Sequence, residues 1–419
     1  MVYESANGDL VGWIIASLVL VGSMALAAAV CRRPASALIF ILAVALRFGL
    51  SAASSFGLFL PPDADRLDFH LQASQMATTE DDPGEVVIGH QVYTAILALF
   101  YRMFGTSIFL GCIVSTIPFV FAQVYLLRFL RFWGYDKFET MALLLFGFAP
   151  AMLLYANFTY REPLQILLML MGLYYGFSLR RNPSLGNVLL CTLSLFAFGM
   201  LHSKFFVVVP LILILIFFWP PARPSGQVRS RRKSALPSIV AGLIVVTLAV
   251  IGVLSQSSSN SLVDTLTTGN VADYMLDQKY ALQGIAPRTM MPIQIESASV
   301  TELILKAPLI LLQYMFAPIA PFLVQEAQDL VALADTVLRS ILLFSAISEI
   351  RRSRSPYASE LRLLLVIYVV FSLVAALGTA AVGTAIRHQI KVSWILVLLG
   401  TPGLARMIRS LLVGPRRPE

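Results

Sequence analysis

Three aspartates, Asp63, Asp65 and Asp68, follow closely on Pro61-Pro62. Carboxylates packed this closely resist joint ionisation, which raises the pKa of one towards the working pH. A carboxylate tuned in that way can take a proton from a hydroxyl, and it can equally hold a metal. The plainer reading is a solvated, acidic helix start, which the helix dipole favours. A helix starting at Pro62 would put Asp65, Asp68 and Phe69 on one face, because they are three and four residues apart.

A second set of residues suits phosphate. Arg161 and Glu162 lie in Tyr160-Arg161-Glu162-Pro163, His202 and Lys204 flank Ser203, and Arg387, His388 and Lys391 precede or open the last apolar run. Cations of this kind hold a phosphate or pyrophosphate and offset the charge that develops on it as a leaving group. Each also has a structural reading: a helix-start carboxylate for Glu162, a snorkelling side chain for Arg161, interfacial anchors for His202 and Lys204. Two further arginines fall inside apolar runs, where a charge is costly. Arg339 has Asp335 one turn earlier as a partner, whereas Arg47 needs a partner or a water-filled cavity. His90 reads as a loop histidine.

The elements that position these residues follow from composition. The chain has 419 residues, of which 58% are hydrophobic and 13% charged. Soluble domains average about 45–50% and about 25%. Mean hydropathy is +0.79. An ordinary soluble enzyme and a disordered chain are thereby excluded, and the expected class is an all-α integral membrane protein forming one transmembrane domain over 1–419. Eleven apolar runs are candidate crossings: 10–30, 37–59, 106–128, 139–156, 163–179, 186–201, 204–220, 237–255, 329–349, 361–380 and 390–407. Of these, 186–201 and 204–220 are short for a hydrocarbon core of about 30 Å. With the N-terminus outside, the inner loops carry Arg32, Arg33, Arg128, Arg131, Lys137, Arg180, Arg181, Arg223, Arg229, Arg231, Arg232, Lys233, Arg351, Arg352, Arg354, Arg362, Arg406, Arg409, Arg416 and Arg417. Those are twenty of the 31 basic residues; Arg47 and Arg339 are inside crossings, which leaves nine outside. This Lys/Arg bias fixes the orientation. It also accounts for the net charge of +8 without a nucleic-acid partner. The three cysteines, Cys31, Cys112 and Cys191, contain no CxxC pair, so neither a disulfide scaffold nor a zinc site is expected. The first basic residue is Arg32, so no cleaved signal peptide is expected.

Two long segments fall outside. The first, 60–105, carries the aspartates and then an amphipathic stretch between Gly89 and Gly105, expected as a helix on the membrane surface. The second, 256–328, opens Ser-rich and ends in an expected interfacial helix over 303–316. One face therefore gathers the carboxylates and the phosphate-binding set.

In these features the sequence resembles the GT-C superfamily of integral-membrane glycosyltransferases. The resemblance rests on Pro62-Asp63-Ala64-Asp65-Arg66-Leu67-Asp68-Phe69-His70 with Ala73, on the Gly89–Gly105 helix, and on the stretch from Ala149-Pro150 to Arg161-Glu162. It continues with the paired short helices around His202 and Lys204, and with Gly383-Thr384-Ala385-Ile386-Arg387-His388. The order covers roughly residues 36–407. It departs from the pattern in the extra crossing 10–30 and matches loosely over 256–328. The resemblance implies a polyprenyl-phosphate or polyprenyl-pyrophosphate sugar donor, a glycan, lipid or protein acceptor, and a bacterial cell membrane with the active site on its outer face. It implies Asp65 as catalytic base, with Asp63 second and Asp68 beside them, and leaves a divalent metal open, since some members need one and others do not. A polymerase joining lipid-linked repeat units would use the same surface. From a different class, a lipid-linked-oligosaccharide flippase should place polar residues along a path through the bundle, whereas most runs lack charges: 106–127 carries none, and 361–378 none beyond Arg362 at its start.

The charge pattern predicts that a cysteine placed at Ser257 is labelled in intact cells and one at Ser230 only after permeabilisation. The reverse result would invert the orientation.

Overall fold

The computed structural model describes residues 6–58, 65–78, 90–202, 205, 208–220, 242, 291–293, 300–317, 327–353, 357–379 and 381–413. Among the described residues there are helices and turns and no strand. In chain order the helices are α1 (Ala6–Val30), α2 (Pro34–Ser55), α3 (Asp65–Thr78), α4 (His90–Phe104), α5 (Ile108–Phe132), α6 (Glu139–Gly147), α7 (Pro150–Tyr155), α8 (Glu162–Arg181), α9 (Leu185–Met200), α10 (Val208–Phe218), α11 (Val300–Phe316), α12 (Ala327–Arg352), α13 (Ala358–Leu377) and α14 (Val382–Val413). Six of them, α1, α2, α5, α12, α13 and α14, are long and apolar enough to cross a membrane. The protein is an all-helical membrane protein.

Among the described residues, Arg32, Arg131, Arg180, Arg181 and Arg406, all assigned to inner loops, collect at one end of the bundle. Arg131 bonds the Val30 carbonyl and, at 3.2 Å, Glu139. Arg32 pairs with Asp136 at 2.8 Å, Arg181 and Trp133 share Glu360, and Arg406 pairs with Glu349. Arg180 bonds the last carbonyls of α10. The ends of α1, α5, α8, α10, α12 and α14 therefore meet the starts of α2, α6 and α13. The opposite end holds the start of α8, the end of α9 and the start of α14, joined by Arg161 and Arg387.

Several boundaries differ from the sequence reading. The expected crossing 139–156 is discontinuous: α6 stops at Gly147 and α7 starts at Pro150. Ala149, held extended at ψ 133°, obeys the restriction that a proline places on the residue before it. The expected crossing 204–220 is helical only over Val208–Phe218, about 16 Å at 1.5 Å per residue. The last helix starts at Val382, so Arg387 and His388 lie in its first two turns and not ahead of it. The expected crossing 237–255 lies outside the described residues apart from Gly242.

Where backbone groups lose their helical partners away from water, other groups must satisfy them. Arg47, fully buried on α2, donates to the carbonyls of Ala43 at 2.8 Å and Gly147 at 2.9 Å, and its guanidinium lies 3.4 Å from the centre of the Phe119 ring. It thus caps the broken end of α6. Asp335 accepts from the Ala151 backbone N–H at 3.1 Å at the start of α7, and pairs with Arg339 at 2.6 Å as its spacing predicted. Arg339 also donates to the Met315 carbonyl at 3.1 Å, and Thr336 donates to that of Ala317 at 2.6 Å. The end of α11 is so held against the middle of α12. The irregular stretch that follows α7 is buried as well, with Ser51 donating to the Asn157 carbonyl at 2.6 Å.

In 60–105, α4 is the expected amphipathic helix. Tyr93, Leu97 and Tyr101, each four residues apart, are buried, while Leu99 and Met103 are exposed. Tyr93 bonds Ser115 of α5, Tyr101 bonds His70 of α3 at 2.8 Å, and Gly105, at φ +89°, ends the helix in the left-handed region that glycine tolerates.

Removing one partner of a buried pair leaves the other charge uncompensated, at roughly 3–5 kcal/mol. Asp335→Ala should lower stability by that order, and Asp335→Ala/Arg339→Ala by less than the sum of the single changes. Thermal or denaturant unfolding of the purified variants in detergent checks this; additive losses would mean that the two residues do not act as a pair.

Candidate functional site

The end of the bundle that carries α3 also gathers Arg161, Glu162, His202, Arg387, His388 and Lys391. Glu162 is the first residue of α8, and Pro163 follows it at a position where the missing N–H costs nothing. Its carboxylate is buried and accepts from Arg387 Nη2 at 3.0 Å and Nε at 3.3 Å, with Lys391 Nζ at 3.8 Å. Arg387 and Lys391 are four residues apart on α14 and so present both cations to one carboxylate. Lys391 is fully buried. Its ammonium lies 3.0 Å from His388 Nδ1. A charged lysine can only donate, so with Lys391 protonated the acceptor in this contact is His388 Nδ1.

His202 follows α9 directly. Its ring centre is 5.2 Å from that of His388, and Phe205 packs against both rings at 4.5 and 5.4 Å. Lys391 also sits 4.9 Å from the centre of the Phe205 ring, an attraction between a cation and a ring face. Arg387 makes the same kind of contact with Tyr160 at 5.0 Å.

Arg161 links this cluster to the acidic motif. It donates to the Leu201 carbonyl at 2.8 Å, at the end of α9, and its guanidinium lies 5.8 Å from the centre of the Phe69 ring. Phe69 is buried on α3 and meets Tyr93 edge-on at 5.2 Å. Asp68, the residue before it, is exposed. Asp65 opens α3, and its side chain lies outside the described residues. Asp63 and Lys204 lie outside them altogether. Among the described residues no three His, Cys, Asp or Glu side chains gather as a metal site.

Arg161, Glu162, His202, Arg387, His388 and Lys391 are thus brought together from α8, α14 and the end of α9. Tyr160 and Phe205, which face the two cations of α14, were not picked out in the sequence. The signal for Tyr160 was its place beside Arg161; Phe205 offered none beyond its aromatic ring. Chemically, a wall of buried cations and imidazoles can receive an anionic group, and the carboxylate among them fixes where two of the cations point.

Burial alone would push the Glu162 carboxyl up, but Arg387, then Lys391 and Arg161, hold it below its ordinary value. No family model, curated protein or solved structure matches this chain.

Because folding lowers this pKa, the cluster adds stability that is complete above 4.5, the ordinary value, and is lost as pH falls through the folded value. Over that window the thermal midpoint of the native protein in detergent should fall more steeply than that of Glu162→Gln. Parallel curves would show that Glu162 is not the carboxylate that anchors the cations.

Proposed function

We propose that this chain is a glycosyltransferase of the membrane that moves a sugar from a polyprenyl-phosphate or polyprenyl-pyrophosphate donor to a hydroxyl of a glycan, lipid or protein acceptor. The observation that carries the reading is the convergence of Arg161, Glu162, His202, Arg387, His388 and Lys391 at the end of the bundle where α3 lies, with Arg161 against Phe69. In this reading Asp65 takes the proton of the acceptor hydroxyl, with Asp63 or Asp68 assisting. The acceptor oxygen forms its bond to the anomeric carbon as the bond from that carbon to the donor's phosphate oxygen breaks. The electron pair leaves with the phosphate, whose growing charge Arg161, Arg387 and Lys391 offset. Glu162 holds Arg387 and Lys391 in place.

The proposed topology has eleven crossings, with the N-terminus and this site outside a bacterial cell membrane and the C-terminus in the cytoplasm. It rests on the Lys/Arg bias. A polymerase joining lipid-linked repeat units would use the same residues on a longer acceptor. A flippase draws support from one observation, the discontinuous crossing α6–α7, because broken helices line many transport sites. That support is reduced by Arg47 and Asp335, which bond the two broken ends.

Asp65→Asn should slow sugar transfer by roughly 10²–10⁴-fold, the worth of a positioned base, with thermal stability unchanged. Arg161→Ala should weaken donor binding by roughly 1.5–3 kcal/mol, the worth of a charge-assisted contact. The assay is transfer and donor binding by purified protein with a polyprenyl-phosphate sugar. Full activity in Asp63→Asn, Asp65→Asn and Asp68→Asn alike would remove the transferase reading.

A further inference from the structure

At the opposite end of the bundle, α12 and α14 run parallel and touch backbone to backbone before they part. A Cβ on Gly400 would stand 2.5 Å from the Leu342 carbonyl oxygen, and one on Gly403 2.4 Å from that of Ser345. Only glycine permits so close an approach. Pro402 lies between them, and a proline inside a helix removes a backbone donor and favours a bend. Beyond this contact the two helices enclose a groove of about 590 Å³.

The lining of the groove changes along its length. Ile341, Phe344 and Met407 line its apolar part, and Phe344 is 64% exposed and Met407 47%. Arg352, Arg406 and Ser410 line it nearer the helix ends. From Ile341 to Arg352 is eleven residues of α12, about 16 Å of rise. Large apolar side chains left exposed on a membrane helix face hydrocarbon, and arginine at the helix end faces the headgroup layer. Among the described residues this end of the two helices carries Arg351, Arg352, Arg406 and Arg409 against Glu349, and Glu349 is bonded to Arg406. The excess is positive.

A groove that is apolar where the membrane is apolar, and cationic at the headgroup level, matches one amphiphile in both parts. We propose that the groove between α12 and α14 holds an anionic phospholipid, its phosphate at Arg352 and its acyl chains along Phe344, Met407 and Ile341. Charge selects the lipid: a zwitterionic headgroup brings its own cation to the same arginines, and an anionic one does not. Basic pockets between transmembrane helices on the face rich in Lys and Arg are suited to such headgroups. The site stands apart from the cluster around Glu162 and does not depend on the transferase reading.

The test uses the full chain in a neutral detergent, with phosphatidylglycerol and phosphatidylcholine of the same acyl chains as probes. Retained lipid is counted by native mass spectrometry, and the thermal midpoint is followed in parallel. The expected result is retention of one phosphatidylglycerol with at least about tenfold preference over phosphatidylcholine and a saturable rise in midpoint. Arg352→Gln should abolish most of that preference, because a charge-assisted contact is worth about tenfold or more. Ser410→Trp, which fills the groove from an exposed position, should prevent retention of either lipid. Equal retention of the two lipids would overturn the proposal, as would an unchanged preference in both variants. A rise in midpoint with inorganic phosphate alone, lost in Arg352→Gln, would make this a site for soluble anions and overturn it too. So would a dimer that Ser410→Trp dissociates, since a second copy would then cover the groove. Arg352 and Ser410 are exposed. A variant that fails to fold is therefore not expected, and helix content by circular dichroism verifies that both fold.

Discussion

A helix that stops among buried apolar side chains leaves carbonyls without donors and N–H groups without acceptors, and other groups must satisfy them. The break between α6 and α7 is the constraint on which much of this structure depends. Its carbonyl side is taken up by Arg47 of α2, its N–H side by Asp335 of α12. Each charge matches the helix dipole that it meets, positive at the end of one helix and negative at the start of the next. Asp335 in turn holds Arg339, and Arg339 holds the end of α11. Two sets of polar contacts, one joining α2 to α6 and the other joining α7, α12 and α11, thus cross the apolar interior on either side of the break.

The break also decides how the chain reaches the candidate site. After α7 the backbone leaves helical geometry over Asn157–Tyr160, and all four residues are fully buried. Irregular backbone at this depth is tolerated where protein surrounds it. The turn it makes delivers Arg161 and Glu162 to the start of α8, beside α14 and the end of α9. A continuous helix over 139–156 would have carried the same residues along one axis, with no such bend. The structural charges of the interior and the charges of the site are therefore parts of one arrangement, although they do different work. Arg47 and Asp335 satisfy backbone, whereas Glu162 orients side-chain cations.

The two ends of the bundle differ in how they use arginine. At the end with Glu139, Glu349 and Glu360, arginines pair with carboxylates and cap helix carbonyls, and Arg32 and Arg406 are exposed. Such exposed pairs contribute little each. At the other end Arg387 and Lys391 are buried, where a charge is costly unless it is held by a partner. A cost of that kind is common where a protein binds or transforms a charged ligand.

The sequence by itself determined the class and the sorting of charge. Hydropathy is a sum over neighbours in the chain, so the long apolar helices were legible, as were the buried face of α4 and the pairing of Asp335 with Arg339, four residues apart. It also picked out Arg161, Arg387, His388 and Lys391 as cations on a face where cations are expected to be scarce, and Glu162 as the carboxylate beside Arg161. Partners distant in the chain were decided only by tertiary structure. Glu162 and Arg387 are 225 residues apart, Arg47 and Gly147 a hundred. No local pattern encodes those contacts, because they depend on which helix faces meet. The break at Ala149-Pro150 was written in the chain but hidden within an apolar run, since hydropathy does not register the backbone donor that proline lacks. Tyr160 and Phe205 became partners of the buried cations only through packing: a ring face attracts a cation once the fold brings the two together.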